Sequence, residues 1–281
     1  SAPKPRKQII KTTHHNDNCI NTIINLAHSY GRNTEEKPQP DAFVTGTEQV
    51  DEAPPINVPN VVQEWLASET AASCDHTPDP EHTHVLHLVA TRVLQDYKEA
   101  NDVDANSSPL THAIHGQPGT GKSQGVLKPI LRLFEKLGWQ RERDYLVVSF
   151  QASNAHLVGG DTAHHDFVMN PFTGTNVNAS TAEKITKKFA FVKWLLIEEV
   201  SMFSAELLYD MHYQAIQYGN KHAQYSLDSS GNPRYFNGWN LLAFGDVFQL
   251  PPTNGHPIQT VPPHIYKKCD AVNCTACAEL R

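Results

Sequence analysis

The octapeptide Gly116-Gln117-Pro118-Gly119-Thr120-Gly121-Lys122-Ser123 is the stretch whose residue types and spacing could do chemistry unaided. Its glycines let the backbone curl until several N–H groups converge on one anion, and a helix starting where the loop ends adds its positive pole. Lys122 is placed to reach the β- and γ-phosphates of a nucleotide, and the Ser123 hydroxyl to hold an accompanying Mg²⁺. An ordinary glycine-proline turn would use the same small residues but has no need of Lys-Ser. The apolar Ala113-Ile114-His115 before the loop and the amphipathic segment from Gln124 after it complete a strand, loop, helix context. That is the setting a phosphate-binding loop requires.

Two acids, Glu198 and Glu199, close the apolar run Trp194-Leu195-Leu196-Ile197. At the carboxyl end of a parallel strand beside a phosphate loop, one carboxylate can order the metal shell and the next can polarise an attacking water. Acids after an apolar strand are common, so the pair gains its weight from the loop. Gly245-Asp246-Val247-Phe248-Gln249-Leu250-Pro251-Pro252 likewise follows the apolar run Leu241-Leu242-Ala243-Phe244. A Gln there can reach a γ-phosphate and report its loss, or the segment can be a strand-ending turn with a proline stop. The residues alone leave these two readings level.

Positioning such groups requires a sheet. Tyr145 to Phe150, Trp194 to Ile197 and Leu241 to Phe244 are nearly continuous apolar runs of strand length, alternating with helical patterns. That alternation predicts a parallel sheet covered on both faces, an α/β fold. Val126, Leu127, Ile130, Leu131 and Phe134 form a helical stripe after the loop, with Pro129 expected to kink it and Gly138 to end it. Upstream, helices are predicted over 61–71 and 84–100. Downstream, Ser204 is a candidate cap for a helix bearing Leu207, Leu208, Met211 and Ala215. Residues 219–238, rich in Gly, Asn and Ser, read as an exposed insertion. Three regions follow: an N-terminal extension over 1–80, partly disordered with short helices such as 19–30; a working domain over 81–260; and a cysteine-containing tail over 261–281.

The bulk properties restrict the setting. A length of 281 residues suits one large α/β domain with extensions. The formal charge of −7 leaves no global basic field, although a positive groove can be local. The basic start at Lys4, Arg6, Lys7 and Lys11 reads as a solvated tail. Five unevenly spread cysteines are no secreted disulfide framework, and neither a signal pattern nor a membrane-length apolar run is present. An intracellular place, with no membrane, is expected. Cys274 and Cys277 have the gap of a zinc knuckle, with Cys269 or His264 to add ligands, but the set is incomplete and free cysteines are expected.

Taken together, the motifs resemble the superfamily-one DNA helicases of the Pif and RecD-like group, including the Helitron type. The likeness is carried by the loop at 116–123, by Leu195-Leu196-Ile197-Glu198-Glu199-Val200-Ser201-Met202 and by 245–252. Between them lie Ser149-Phe150-Gln151-Ala152-Ser153-Asn154-Ala155 and Gly159-Gly160-Asp161-Thr162-Ala163-His164. It spans about residues 82–255, and the segment at 245–252 is its most specific part.

The resemblance implies a RecA-like P-loop NTPase domain with ATP and Mg²⁺ as cofactors. It implies Gly116, Gly119, Thr120, Gly121, Lys122 and Ser123 of this Walker A loop on the nucleotide, with Ser123 and Glu198 on the metal. Lys122, Glu199 as catalytic base and Gln249 as γ-phosphate sensor are the implied catalytic residues; Thr162 and His164 fall along the implied single-stranded DNA path. The implied partners are single-stranded DNA and a second RecA-like domain, beyond Arg281 or in another chain, and the implied location is nuclear or nucleoid-associated.

Three features depart from the family pattern. Glu198 stands where the family has Asp, moving the carboxylate by about 1.5 Å, one C–C bond. No upstream adenine-reading Gln is matched, with His82 and His84 near its place. The second motor domain with its arginines is absent from these residues, so weak hydrolysis is expected. The implied function is the ATP-binding first motor domain of a Pif-like ATP-dependent DNA helicase. The alternatives are a nucleotide-dependent switch or scaffold without unwinding activity, and a P-loop small-molecule kinase. The segment at 245–252 and the lack of a substrate-lid arginine cluster speak against the kinase.

Overall fold

A computed structural model describes residues 56–71, 79–100, 102, 107–169, 177–246 and 248–258. The helix expected over 19–30, the basic start and the residues Cys269, Cys274, Cys277 and His264 lie outside the described residues.

Five strands form one parallel sheet: β1 (Thr111–His115), β2 (Tyr145–Ser149), β3 (Asp161–Thr162), β4 (Trp194–Glu198) and β5 (Asn240–Gly245), in the order β1-β5-β4-β2-β3. The helices are α1 (Val58–Thr70), α2 (Pro80–Glu99), α3 (Lys128–Lys136), α4 (Ala152–Leu157), α5 (Ala163–Asp166), α6 (Ala179–Phe189) and α7 (Ala205–Tyr218). Alternate residues of the central strands enter two different cores. Leu146, Val148, Leu195, Ile197 and Leu241 pack with Phe189 of α6 and Met211 of α7. Val147, Leu196, Leu242 and Phe244 pack with Trp65 of α1, Val89 of α2 and Phe134 of α3. Both faces are covered, so neither position of the alternation is left to be polar, which is why the strands read as unbroken apolar runs. This is a RecA-like α/β domain, with the glycine loop after β1 and β5 lying between β1 and the acid-bearing β4.

The helix starts follow local chemistry. Asp79 caps α2, its carboxylate accepting from Glu81 N at 2.8 Å, and Pro80 follows where no N–H is needed. Ser204 caps α7 as its spacing predicts, Oγ accepting from Leu207 N at 3.1 Å. The interruption expected at Pro129 takes a specific form: Lys122–Leu127 is a π-helical segment, and the α-helix α3 follows from Lys128, with Pro129 in its first turn.

Upstream of Glu81 the core continues. Val62 and Trp65 of α1 are fully buried, Trp65 Nε1 donates to Pro129 O at 2.8 Å, and Arg132 pairs with Glu69 at 2.7 Å. The segment 219–238 is exposed over most of its length, as its composition suggests, but it is anchored at both ends. Its Gly, Asn and Ser content serves tight turns, while Ser226, Phe236 and Asn237 are buried. Tyr225 OH donates to Glu99 Oε2 at 2.8 Å and Arg234 to Ser107 O at 2.7 Å, clasping the segment to the end of α2 and the approach to β1.

Candidate functional site

The loop continues the sheet before it leaves it, since Gly116 N donates to Gly245 O at 3.2 Å. Gly119 and Gly121 then take φ values of +80° and +84°, where a side chain would be strained. Thr120 Oγ1 donates to Gln117 O at 2.8 Å and tightens the turn. Lys122 Nζ donates to Gln117 O at 3.0 Å and to Gly116 O, so the ammonium is held over the loop's own backbone.

A side-chain hydrogen bond joins the loop to β4. Ser123 Oγ donates to Glu198 Oε1 at 2.6 Å, across 75 residues of sequence. The other carboxylate oxygen, Glu198 Oε2, is buried with no hydrogen-bond partner among the described residues. Burial, seconded by the charge of Glu199, pushes the Glu198 carboxyl above the usual range, while the Ser123 hydroxyl and the Lys122 charge oppose the rise. Glu199 turns out of the strand with φ +58°, a left-handed conformation that costs a non-glycine residue about 1–2 kcal/mol. Its Oε1 accepts from Ser201 Oγ at 3.2 Å, on the short 3₁₀ turn Val200–Met202. An oxygen donor pair with an unsatisfied carboxylate oxygen fits a hard divalent cation such as Mg²⁺. Ser123 and Glu198 would hold it, and it would neutralise phosphate charge there.

Gln249 is half-buried on the turn after β5, its N–H donating to Asp246 O at 3.0 Å. Asp246 is buried, accepts from Phe248 N at 3.0 Å and lies 3.8 Å from His115 Nδ1 at the foot of the loop. Gln249 therefore sits at the end of the strand between the loop strand and the acid strand.

Thr162 and His164 lie at the other edge of the sheet, with β5, β4 and β2 between them and β1. Thr162 Oγ1 accepts from His165 N at 3.2 Å and starts α5, so this side chain has a structural task as well. His164 is half-buried with its ring edge-on to Phe150 at 6.3 Å, and burial lowers its pKa, leaving a neutral imidazole near pH 7.

The sheet thus carries every expected site residue to its carboxyl edge, where ligands of open α/β sheets bind. It groups 116–123, Glu198 and Glu199, and sets Thr162 and His164 apart. Among the described residues, Asp161, His165 and Asp166 also have metal-ligating atoms close together. Lys188 Nζ, 2.8 Å from Asp166, and Arg141, 3.5 Å from Asp161, already balance that charge.

One contact has no sequence signal. The ring of His82 on α2 lies against the loop helix, where a Cβ at Gly125 would stand 2.6 Å from its Nδ1. No spacing rule links residues 82 and 125.

No protein-family model matches the chain, and no curated protein does. Solved structures do match it. One, from Candida albicans, is 24% identical, with a TM-score of 0.45 over 63% of this chain and 34% of the other. A second, from Bacteroides in complex with ADP-AlF3 and ssDNA, is 18% identical, with a TM-score of 0.37 over 69% and 37%. A third, solved at forked dsDNA, is 21% identical, with a TM-score of 0.35 over 57% and 34%. All three are Pif1 helicases. The chain spans about a third of the length of these Pif1 structures. Among the described residues, no helix is long and apolar enough to cross a membrane.

Proposed function

We propose that the chain is the ATP-binding first motor domain of a Pif-like ATP-dependent DNA helicase acting on single-stranded DNA. The observation that carries the reading is the Ser123–Glu198 hydrogen bond of 2.6 Å, which joins the phosphate loop to the acid strand. ATP places its phosphates on the N–H groups of 116–123, with Lys122 on the β- and γ-phosphates. Ser123 and Glu198 hold Mg²⁺, Glu199 orients the attacking water, and Gln249 senses the γ-phosphate. Thr162 and His164 line the path of single-stranded DNA, where a half-buried neutral imidazole beside Phe150 suits stacking and backbone tracking.

A second RecA-like domain, beyond Arg281 or in another chain, supplies the cation in line with the departing phosphate. What supports this is the employment of the described arginines. Arg92 pairs with Asp96, Arg132 with Glu69, and Arg141 with Asp161 and Asp166; Arg143 lies over Phe191, and Arg234 donates to Ser107 O. A nuclear or nucleoid-associated place follows from the same reading.

The test is Lys122→Ala, because among the described residues the lysine's hydrogen bonds run to carbonyls of the loop itself, Gly116 O and Gln117 O. Titration calorimetry should find Mg-ATP binding abolished while circular dichroism and the melting midpoint stay unchanged. Undiminished ATP affinity in a folded variant would remove the site assignment.

A further inference from the structure

Two buried polar atoms at the carboxyl edge of the sheet, Glu198 Oε2 and Ser149 Oγ, have no hydrogen-bond partner among the described residues. They lie on neighbouring strands in the same row, since Ser149 of β2 is the register partner of Glu198 of β4. Paired residues of a parallel sheet project from the same face. That face is the one covered by the loop helix, because Val147 and Leu196, two residues back along each strand, pack with Val126, Leu127 and Ile130. Ser149 is fully buried, so bulk water does not satisfy its hydroxyl. Buried polar groups in native proteins are almost always hydrogen-bonded to protein or to ordered water. Two unpartnered groups in one row, a carboxylate oxygen that accepts and a hydroxyl that accepts as well as donates, fit a single donor of two hydrogen bonds, and the carboxylate is the one that touches Ser123.

We propose that Ser149 is a positioning residue of the nucleotide site, holding jointly with Glu198 a water of the divalent cation's shell. That water donates one hydrogen bond to Glu198 Oε2 and the other to Ser149 Oγ. The inference rests on the nucleotide reading given above and deepens it, extending the metal site one strand further across the sheet than Ser123 and the two acids. The apolar surroundings of β2 favour Ala at this position on packing grounds, so a hydroxyl there needs a polar reason.

The experiment compares Ser149→Ala with the unaltered chain by titration calorimetry of ATP, once with Mg²⁺ and once with a chelator. The expected result is equal affinity in chelator, and a Mg²⁺-dependent gain smaller by about three- to tenfold in the variant, the worth of one hydrogen bond to a neutral hydroxyl. The nucleotide-free variant should melt no lower than the parent, because an unsatisfied hydroxyl has been removed. An unchanged Mg²⁺-dependent gain overturns the proposal. An affinity loss equal with and without metal overturns it too, since that would be a general structural effect. No nucleotide binding by the unaltered chain overturns the nucleotide reading itself, and this inference with it.

Discussion

Gly160→Ala should detach the β3 edge of the sheet, and the structure sets the size of the effect. A Cβ at Gly160 would lie 2.4 Å from Val147 O and 3.0 Å from the carbonyl carbon behind it. Ordinary contact begins at 3.4 Å, so the segment must retreat by about 1 Å from a backbone group that cannot rotate away. Such overpacking costs about 1–3 kcal/mol where the surroundings are fixed. Here one side can yield: the ladder between β3 and β2 consists of the pairs Val148 with Asp161 and Ser149 with Thr162. Releasing ladder bonds worth about 0.5–1.5 kcal/mol each is the cheaper escape. Urea denaturation should therefore show a loss of about 2 kcal/mol, and amide exchange should show lost protection at 161–167 with β4 and β5 unchanged. Gly159→Ala is the control. It has nothing within 4 Å and φ +67°, so it should cost only the left-handed strain of about 1 kcal/mol. A Gly160→Ala protein within about 0.5 kcal/mol of the parent, or less affected than Gly159→Ala, would refute the close approach of the two segments.

Three other outcomes are expected. Single-stranded DNA affinity should fall as salt rises, because an acidic chain must bind through a local positive groove, and Thr162→Ala with His164→Ala should lower it further; salt-independent binding measured by fluorescence anisotropy would contradict the DNA path. Burial, seconded by Glu206, raises the Asp210 carboxyl to about 6, so its contribution to stability is fully present below the unfolded value near 3.8 and is lost as pH rises through 6. Asp210→Asn should therefore be more stable than the parent at pH 7–8, by on the order of 1–2 kcal/mol after allowing for solvent screening, and equal to it near pH 4. A gap that does not change with pH in thermal melts would show that the carboxylate is not responsible. Finally, with the described arginines engaged as they are, phosphate release from ATP should be slow until a second RecA-like domain is added. Fast, DNA-stimulated turnover by a verified monomer would place the missing cation within this chain.

The parts of this protein that local chemistry controls were readable in the amino-acid order. The glycine loop, the strand-length runs ending in Glu198 and before Gly245, and the Ser204 cap depend on residues a few positions apart, whose steric and hydrogen-bonding demands hold in any fold. Short elements were not readable. β3 has two residues and α5 has four, and α6 buries only Ile185 and Phe189, too few to show a period. Neither could neighbouring residues disclose which distant groups would meet. Ser123 touches Glu198 only because β5 pairs between β1 and β4, and Ser149 faces Glu198 only because β2 takes the far side of β4 in that register. His82 lies on Gly125 because α2 packs over the loop helix. Strand order, register and helix docking are decided by how the two cores fill, a property of the whole chain at once, and the donor set around Glu198 exists only after that packing is complete.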